Sequence, residues 1–148
     1  MEEYDVKITK GVFLRVRVRG RITCVTVIKG NPTFPSHPEI KALLQPYRTG
    51  AGDPHVDPQI LDLSMIRGDY LPFLMMLRES CPFGTTTTYG NLARLWRKHP
   101  RFIGTIMRNN PFPIFFPCHR VLAKDGIGGY SHGKDLKREL LRHEGILP

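Results

Sequence analysis

Apolar and cationic residues alternate near the N-terminus: Val12, Leu14, Val16 and Val18 fall on one side, Arg15, Arg17 and Arg19 on the other. A period of two predicts a half-buried strand with one cationic face. Gly20 offers a tight turn, and residues 22–28 continue as a second β-rich run. Cys24 then lies inside a strand, where a buried inert thiol is the simpler reading. The period lengthens after His37-Pro38, a pairing that suits a helix start; Ile40, Leu43 and Leu44 carry helical spacing, and Pro46 and Gly50 are expected to end that helix. Residues 51–58 read as a loop. Leu61, Leu63 and Met65 alternate with Asp62 and Ser64 as another short strand, and Asp69 is expected to cap a helix carrying Leu71, Leu74, Met75 and Leu77.

From Cys81-Pro82-Phe83-Gly84 the texture changes, and this break reads as the junction between two lobes. Thr88 can cap a helix whose buried face is formed by Leu92, Leu95 and Trp96. A second short helix follows with Pro100 in its first turn and Ile103, Ile106 and Met107 as its apolar stripe. Its opposite face carries Arg101, Thr105 and Arg108. Two short helices, a tight connection and a cationic second face predict a helix-turn-helix with residues 101–108 as recognition helix. Pro111 pushes Asn110 out of the α region and ends that helix. Pro111-Phe112-Pro113-Ile114-Phe115-Phe116-Pro117 then predicts a stiff, buried, extended segment leading to the adjacent pair Cys118-His119. Neighbouring strand residues point to opposite faces, so those two cooperate only if the backbone turns or a water bridges them. A glycine-bearing loop over residues 124–129 and a final helix over residues 134–144, with Leu136, Leu140 and Leu141 inward, complete the pattern.

A chain of 148 residues is long enough to bury a core without disulfides or a cofactor. No apolar run of membrane-spanning length and no secretory leader is evident, so the expected location is cytoplasmic, with no membrane partner. The three cysteines are far apart and lack C-x-x-C spacing, which argues against a disulfide scaffold and a zinc ribbon. A Cys24–Cys81 bridge stays open only for an intracellular hyperthermophile protein. The net charge of +9 is uneven: residues 1–80 hold eleven Lys/Arg against nine Asp/Glu, residues 81–148 eleven against four. Arg94, Arg97, Lys98, Arg101 and Arg108 occupy a stretch free of acids, which fits either a nucleic-acid backbone or a solvated basic face.

The candidate chemistry centres on Cys118. An ionised thiol is a nucleophile, and a His oriented by a carboxylate is the usual means of activation. Glu144 sits at the C-terminal end of the last helix, where the dipole disfavours a carboxylate, so it needs a partner such as an imidazole. Cys118, His119 and Glu144 would fill the three roles. A metal site from Cys118, His119, His132 and His143 matches no common zinc spacing, so His132 and His143 read as surface residues and His99 as a helix-flanking one.

Tyr89-Gly90-Asn91-Leu92-Ala93, residues 101–111, Pro117-Cys118-His119-Arg120-Val121, Gly129-Tyr130-Ser131 and His143-Glu144-Gly145 resemble, in order, the motifs of the O-6-alkylguanine-DNA alkyltransferases, also called methylated-DNA-protein-cysteine methyltransferases. The resemblance implies an α+β protein of two lobes. Residues 1–80 would form a ribonuclease-H-like α/β lobe, and residues 81–148 a mainly helical lobe with a winged helix-turn-helix and the alkyl acceptor. It implies a single-turnover methyltransferase, acting as a monomer on double-stranded DNA, that moves an alkyl group irreversibly from O-6-alkylguanine, and from O-4-alkylthymine, to Cys118. No cofactor, metal or obligate protein partner is implied.

The same resemblance assigns roles by position. His119 and Glu144, with a bridging water, would take the proton from Cys118, and Asn110 would brace the turn beside it. Arg101 would fill the stack vacated by the flipped nucleotide, with Thr105 and Arg108 on the same DNA-facing helix entering the minor groove. Tyr89 would help turn the nucleotide out and support the leaving group. The carbonyls of Cys118 and Val121, the Ser131 amide and the Tyr130 ring would hold the base. Phe102 and Thr105 are bulkier than the small residues the family favours on this helix, and Cys24, His37 and His55 do not reproduce the zinc site of some members. Two other classes remain to be separated: a DNA-lesion binder without transfer, against which Cys118 speaks, and a thiol hydrolase, which would leave the basic helix pair unexplained.

Overall fold

The computed structural model describes residues 1–148. Three antiparallel strands, β1 (Glu2–Thr9), β2 (Val12–Arg19) and β3 (Arg21–Lys29), form a sheet in the order β1-β2-β3. The alternating stripe of β2 is its centre: Leu14 pairs with Val6 and Val27, and Val16 with Tyr4 and Val25. These pairs put one apolar face toward the core. The turn at Gly20 needs a positive φ of 73°, which glycine adopts without a Cβ clash. The strand β1 also alternates, with Tyr4, Val6 and Ile8 on the face of Leu14 and Val16; Asp5 lies on the other face opposite Arg15, where it is buried and accepts from Arg15 Nε at 3.0 Å and the amides of Thr33 and Phe34 at 2.7 and 2.8 Å.

Helix α1 (Pro38–Thr49) packs Ile40, Leu44 and Tyr47 inward, with His37 Nδ1 accepting from Ile40 N. Pro46 lies inside α1 and does not end it; the helix runs on to Gly50, whose left-handed backbone (φ 81°) caps it. A strand over residues 61–65 does not form. Only Leu61 bridges β3, at Ile22, because Asp62 accepts from the Ser64 amide and hydroxyl and folds residues 63–65 into a 3₁₀ turn. Asp69 likewise does not cap: it lies inside a second 3₁₀ turn, and α2 (Leu71–Ser80) starts at Tyr70 with no side-chain cap. Leu74 and Leu77 are the fully buried residues of α2.

Thr88 caps α3 (Tyr89–Trp96), accepting from Asn91 N at 3.0 Å, and α4 (Pro100–Arg108) follows after three residues. His99 flanks and caps α4, taking Arg101 N at 3.1 Å. The two helices pack on each other. Leu92 and Ala93 are the buried residues of α3, whereas Leu95 is 64% exposed, contrary to its expected inward position. An eight-residue helix offers only a narrow contact stripe, and Leu95 lies beside Met76 on a shallow outer surface. Short parallel strands β4 (Thr87–Thr88) and β5 (Val121–Leu122) tie α3 to the segment after Cys118, and α5 (Lys134–His143) closes the chain.

The proline-rich stretch is buried as expected from Phe112 to Pro117, but it is a coiled loop, not an extended strand. Ile114 has φ 76°, Phe116 N donates to Phe112 O at 3.0 Å, and Cys118-His119-Arg120 is a 3₁₀ turn. The prolines exclude helix but leave the direction of the chain to tertiary contacts, here the Asn110 side chain, which donates to Phe116 O and accepts from Phe112 N. One contiguous core runs from Val16 and Leu44 through Leu74 and Ile103 to Phe115 and Leu140. All three cysteines are free thiols. No helix is long and apolar enough to cross a membrane.

Replacing Leu44, which is fully buried, with alanine is expected to cost about 2–5 kcal/mol in urea unfolding. The same change at Leu95 is expected to cost less than about 1 kcal/mol. Equal losses at the two positions would contradict this assignment of inside and outside.

Candidate active site

The thiol of Cys118 stands at the first residue of the 3₁₀ turn that ends the buried loop. Asn110 Nδ2 reaches its Sγ at 3.3 Å while holding Phe116 O at 2.8 Å, so one amide fixes both the loop and the thiol. Burial pushes the Cys118 pKa up, against the opposing influence of Asn110 and the nearby Lys137 ammonium. The resting group is therefore a protonated thiol that needs a base.

His119, the next residue, is a fully buried titratable ring. Its Nε2 bonds to Glu144 Oε2, and its Nδ1 is buried with no hydrogen-bond partner. Burial lowers the His119 pKa, outweighing the pull of Glu144, so the ring is neutral at pH 7. Glu144 is held from two sides: Oε2 also accepts from the Tyr47 hydroxyl at 2.8 Å, while Oε1 accepts from Arg120 Nε at 2.7 Å and Gly84 N at 3.2 Å. Burial by itself would raise its pKa; the His119 and Arg120 interactions together win and hold it at about 2. With His119 neutral, Arg120 is the charge that keeps Glu144 ionised. Arg120 has no exposed side-chain surface and spends its other edge on Asp53 and on Cys81 O, at 3.1 and 3.0 Å from Nη1.

A cavity of about 320 Å³ opens above the thiol, lined by Tyr89, Gly104, Met107, Arg108, Cys118 and the 123–131 loop, including Tyr130 and Ser131. Gly128 (φ 77°) lets the loop approach: a Cβ there would meet Ala123 N at 3.1 Å and the Tyr89 ring at 3.3 Å. The Tyr130 hydroxyl is buried without a partner, and burial followed by the nearby Cys118 raises its pKa well above the usual value. Burial also raises the Tyr89 pKa, so both phenols remain protonated and able to donate. Of the other residues singled out in the sequence, Val121 lies behind the cavity, fully buried, with its carbonyl taken by Lys137. Arg101 is exposed at the first turn of α4, and its carbonyl accepts from Thr105 Oγ1 at 2.9 Å; Arg108 Nη2 reaches Thr105 Oγ1 at 3.2 Å. Phe102 turns away from the cavity to pack on Tyr70 and Phe73, so that α4 lines the opening with Gly104, Met107 and Arg108.

Four residues of the centre carried no role in the sequence reading. Lys137, with no exposed surface, donates to Val121 O at 2.6 Å and Gly129 O at 3.0 Å, joining both sides of the cavity, and burial lowers its pKa to about 8. Its signal was its place four residues before Leu141, a lysine on an apolar helix face. Tyr47 was legible as the next member of the Ile40–Leu44 stripe, but its partner was not. Arg120 and Asp53 had no local signal. His132 and His143 are half-buried, not surface residues: His132 Nδ1 accepts from Val27 N at 3.4 Å, and His143 Nε2 bonds to Tyr47 O at 2.7 Å. No group of three or more His, Cys, Asp or Glu side chains converges as a metal site.

Residues 74–146, which hold the thiol turn, both α3 and α4, and Glu144, match the model of the 6-O-methylguanine DNA methyltransferase, DNA binding domain. Over this half, the chain is a domain of the methylated-DNA–protein-cysteine methyltransferase family. The proteins of that name from Methanopyrus kandleri and Thermococcus kodakarensis are 47% identical over 75 residues and 51% identical over 70 residues, respectively. These alignments span 51% and 47% of this chain and 56% and 40% of the relatives, so the chain matches about half of each curated relative or less. The crystal structure of the O6-methylguanine-DNA methyltransferase from Pyrococcus kodakaraensis superposes with a TM-score of 0.73 at 25% identity, covering 98% of this chain and 99% of the other. The mixed α/β architecture is thus that of family members along the whole chain, whereas sequence identity concentrates in the half that carries Cys118.

The carboxylate gives a pH test. Its folded pKa lies below the ordinary 4.5, so its contribution to stability is complete above 4.5 and is lost as pH falls through about 2. Glu144→Gln should cost about 3–5 kcal/mol at pH 7, by leaving Arg120 without its buried counter-charge. In chemical denaturation the gap to the parent should narrow between pH 4.5 and about 2, and a gap independent of pH would refute the assignment.

Proposed function

We propose that this protein repairs double-stranded DNA by moving the alkyl group of O-6-alkylguanine, and of O-4-alkylthymine, irreversibly to Cys118. The observation that carries the proposal is a buried thiol at the floor of a cavity, with a neutral His119 bonded to the Glu144 carboxylate behind it and the cationic helix α4 at its rim. In this reading residues 1–80 are the supporting lobe, ribonuclease-H-like in plan, and residues 81–148 the DNA-binding and alkyl-acceptor lobe, with α3 and α4 as a winged helix-turn-helix. The Asp53–Arg120 and Tyr47–Glu144 contacts cross between the two, which also share one hydrophobic core. The protein works as a monomer in the cytoplasm, without a cofactor.

The cavity suits a single extruded base, and extrusion costs roughly a few kcal/mol in unstacking and unpairing. Arg101, exposed at the start of α4, takes the place the nucleotide leaves, and Thr105 and Arg108 follow the backbone along the minor groove. Gly104 gives α4 the close approach that Phe102 would obstruct if it pointed outward. Tyr89, Tyr130 and the Ser131 amide surround the base, with the Val121 carbonyl behind. A water between Sγ and the unpaired His119 Nδ1 passes the thiol proton to the ring, and Glu144 stabilises the imidazolium. Sulfur bonds to the alkyl carbon, the carbon–oxygen bond breaks, and guanine departs with the electron pair, supported by a phenolic hydrogen bond. The thioether is not hydrolysed, so each molecule acts once.

Intact-mass analysis after mixing with a duplex containing O-6-methylguanine should show one methyl gained, and none in Cys118→Ala. Unchanged mass with retained binding would instead identify a lesion-binding protein. Arg101→Ala should slow transfer about tenfold or more, ~1.4 kcal/mol, with a much smaller change in duplex affinity. An unaltered single-turnover rate would remove Arg101 from the flipping step.

A further inference from the structure

We infer that Asp53 is a positioning residue for the reaction centre: by binding the far edge of the Arg120 guanidinium, it lets Arg120 anchor Glu144 without its charge forbidding a proton on His119. Insofar as it concerns methyl transfer, this rests on the reading of Cys118 as alkyl acceptor.

The geometry is a row of charged groups. His119 bonds to Glu144 Oε2, Glu144 Oε1 to Arg120 Nε, and the two terminal nitrogens of Arg120 to the two oxygens of Asp53, at 3.1 and 2.5 Å. The His119, Glu144 and Arg120 side chains have no exposed surface, and that of Asp53 has only 11%. With the thiol protonated and His119 neutral, Glu144, Arg120 and Asp53 sum to one negative charge. When the Cys118 proton moves to His119, the row becomes imidazolium, carboxylate, guanidinium, carboxylate, alternating in sign and summing to zero. Without Asp53, the same transfer would leave two cations on one carboxylate, a net positive charge among side chains with no exposed surface. Asp53 is itself held by the Phe83 amide at 3.1 Å, so its position does not depend on Arg120 alone.

Other titratable groups face this row from every packed element. Tyr47 on α1 donates to Glu144; Arg78 on α2 lies close enough to feel both Asp53 and Arg120; Cys81 follows α2; Tyr130 stands across the His119 ring; Cys118 and Lys137 lie on the cavity side. Tyr47, Tyr130 and Cys81 are neutral through the physiological range because burial raises their pKa values. Asp53 acts on His119 in the expected direction, favouring the proton that Arg120 disfavours.

The test compares the parent chain with Asp53→Asn, which keeps the shape and removes the charge. In an NMR titration, the His119 ring transition should fall by about one pH unit, the size of effect of losing one nearby opposite charge. Single-turnover transfer from a methylated-guanine duplex at pH 7 should slow about tenfold and recover as pH rises, because hydroxide then removes the thiol proton without His119. Duplex affinity should not change. A merely structural role predicts neither the shifted transition nor the recovery at high pH, and their absence overturns the inference. If Asp53→Asn does not fold, the double variant Asp53→Asn, Arg120→Gln decides: removing both charges restores the resting charge of the row, so its His119 transition should lie at or above that of the parent, and one below it is fatal. A parent chain that gains no methyl overturns the alkyl-transfer reading, while the titration still decides the part played by Asp53.

Discussion

The Glu144 carboxylate is the constraint on which the rest of this structure depends. A charge with no exposed side-chain surface is tolerated only when its lone pairs are filled, and four donors fill them: His119, Tyr47, Arg120 and the Gly84 amide. The four donors come from three parts of the chain: Tyr47 from α1, Gly84 from the junction before β4, and His119 and Arg120 from the turn that carries Cys118. Satisfying one carboxylate therefore fixes the relative position of three segments far apart in sequence. Its location just past the C-terminal end of α5, unfavourable by the helix dipole alone, is affordable because a guanidinium stands beside it.

Reactivity is arranged around a thiol that is unreactive at rest. Burial disfavours the thiolate of Cys118, and in the proposed reaction the neutral His119 ring, held by the Glu144 carboxylate, accepts its proton. Asn110 orients the sulfur, and Lys137 fastens the β5 carbonyl to the glycine loop, giving the cavity two fixed walls. The opening is set by α4, where Gly104 presents no side chain and Phe102 is drawn inward by the aromatic cluster with Tyr70 and Phe73. A bulky residue on that helix thus adds to the core without obstructing the approach.

Patterns with a short physical range were readable from the chain. The period of β2, the Thr88 cap, the apolar stripe of α4 and the helix stop at Asn110-Pro111 all rest on neighbours within a few residues. Misreadings occurred where a local hydrogen bond or a distant contact outcompeted that pattern. Asp62 folds residues 63–65 into a turn through its own side chain; Pro46 is carried inside α1; and the proline-rich loop follows Asn110 where the prolines alone would allow an extended run.

Among the chemical residues, the sequence by itself determined the identity and order of Cys118, His119 and Glu144, the caged position of Asn110 before a proline, and the cationic face of the second short helix. These follow from residue type and spacing, and from motifs that keep their order in the family. Only the tertiary structure decided that Arg120 is buried between two carboxylates, that Tyr47 and Asp53 reach the centre from the other half of the chain, and that Lys137 spans the cavity walls. The reason is physical. A buried charge is satisfied through space, by partners 67 or 97 residues away, and no local pattern records which of them will arrive.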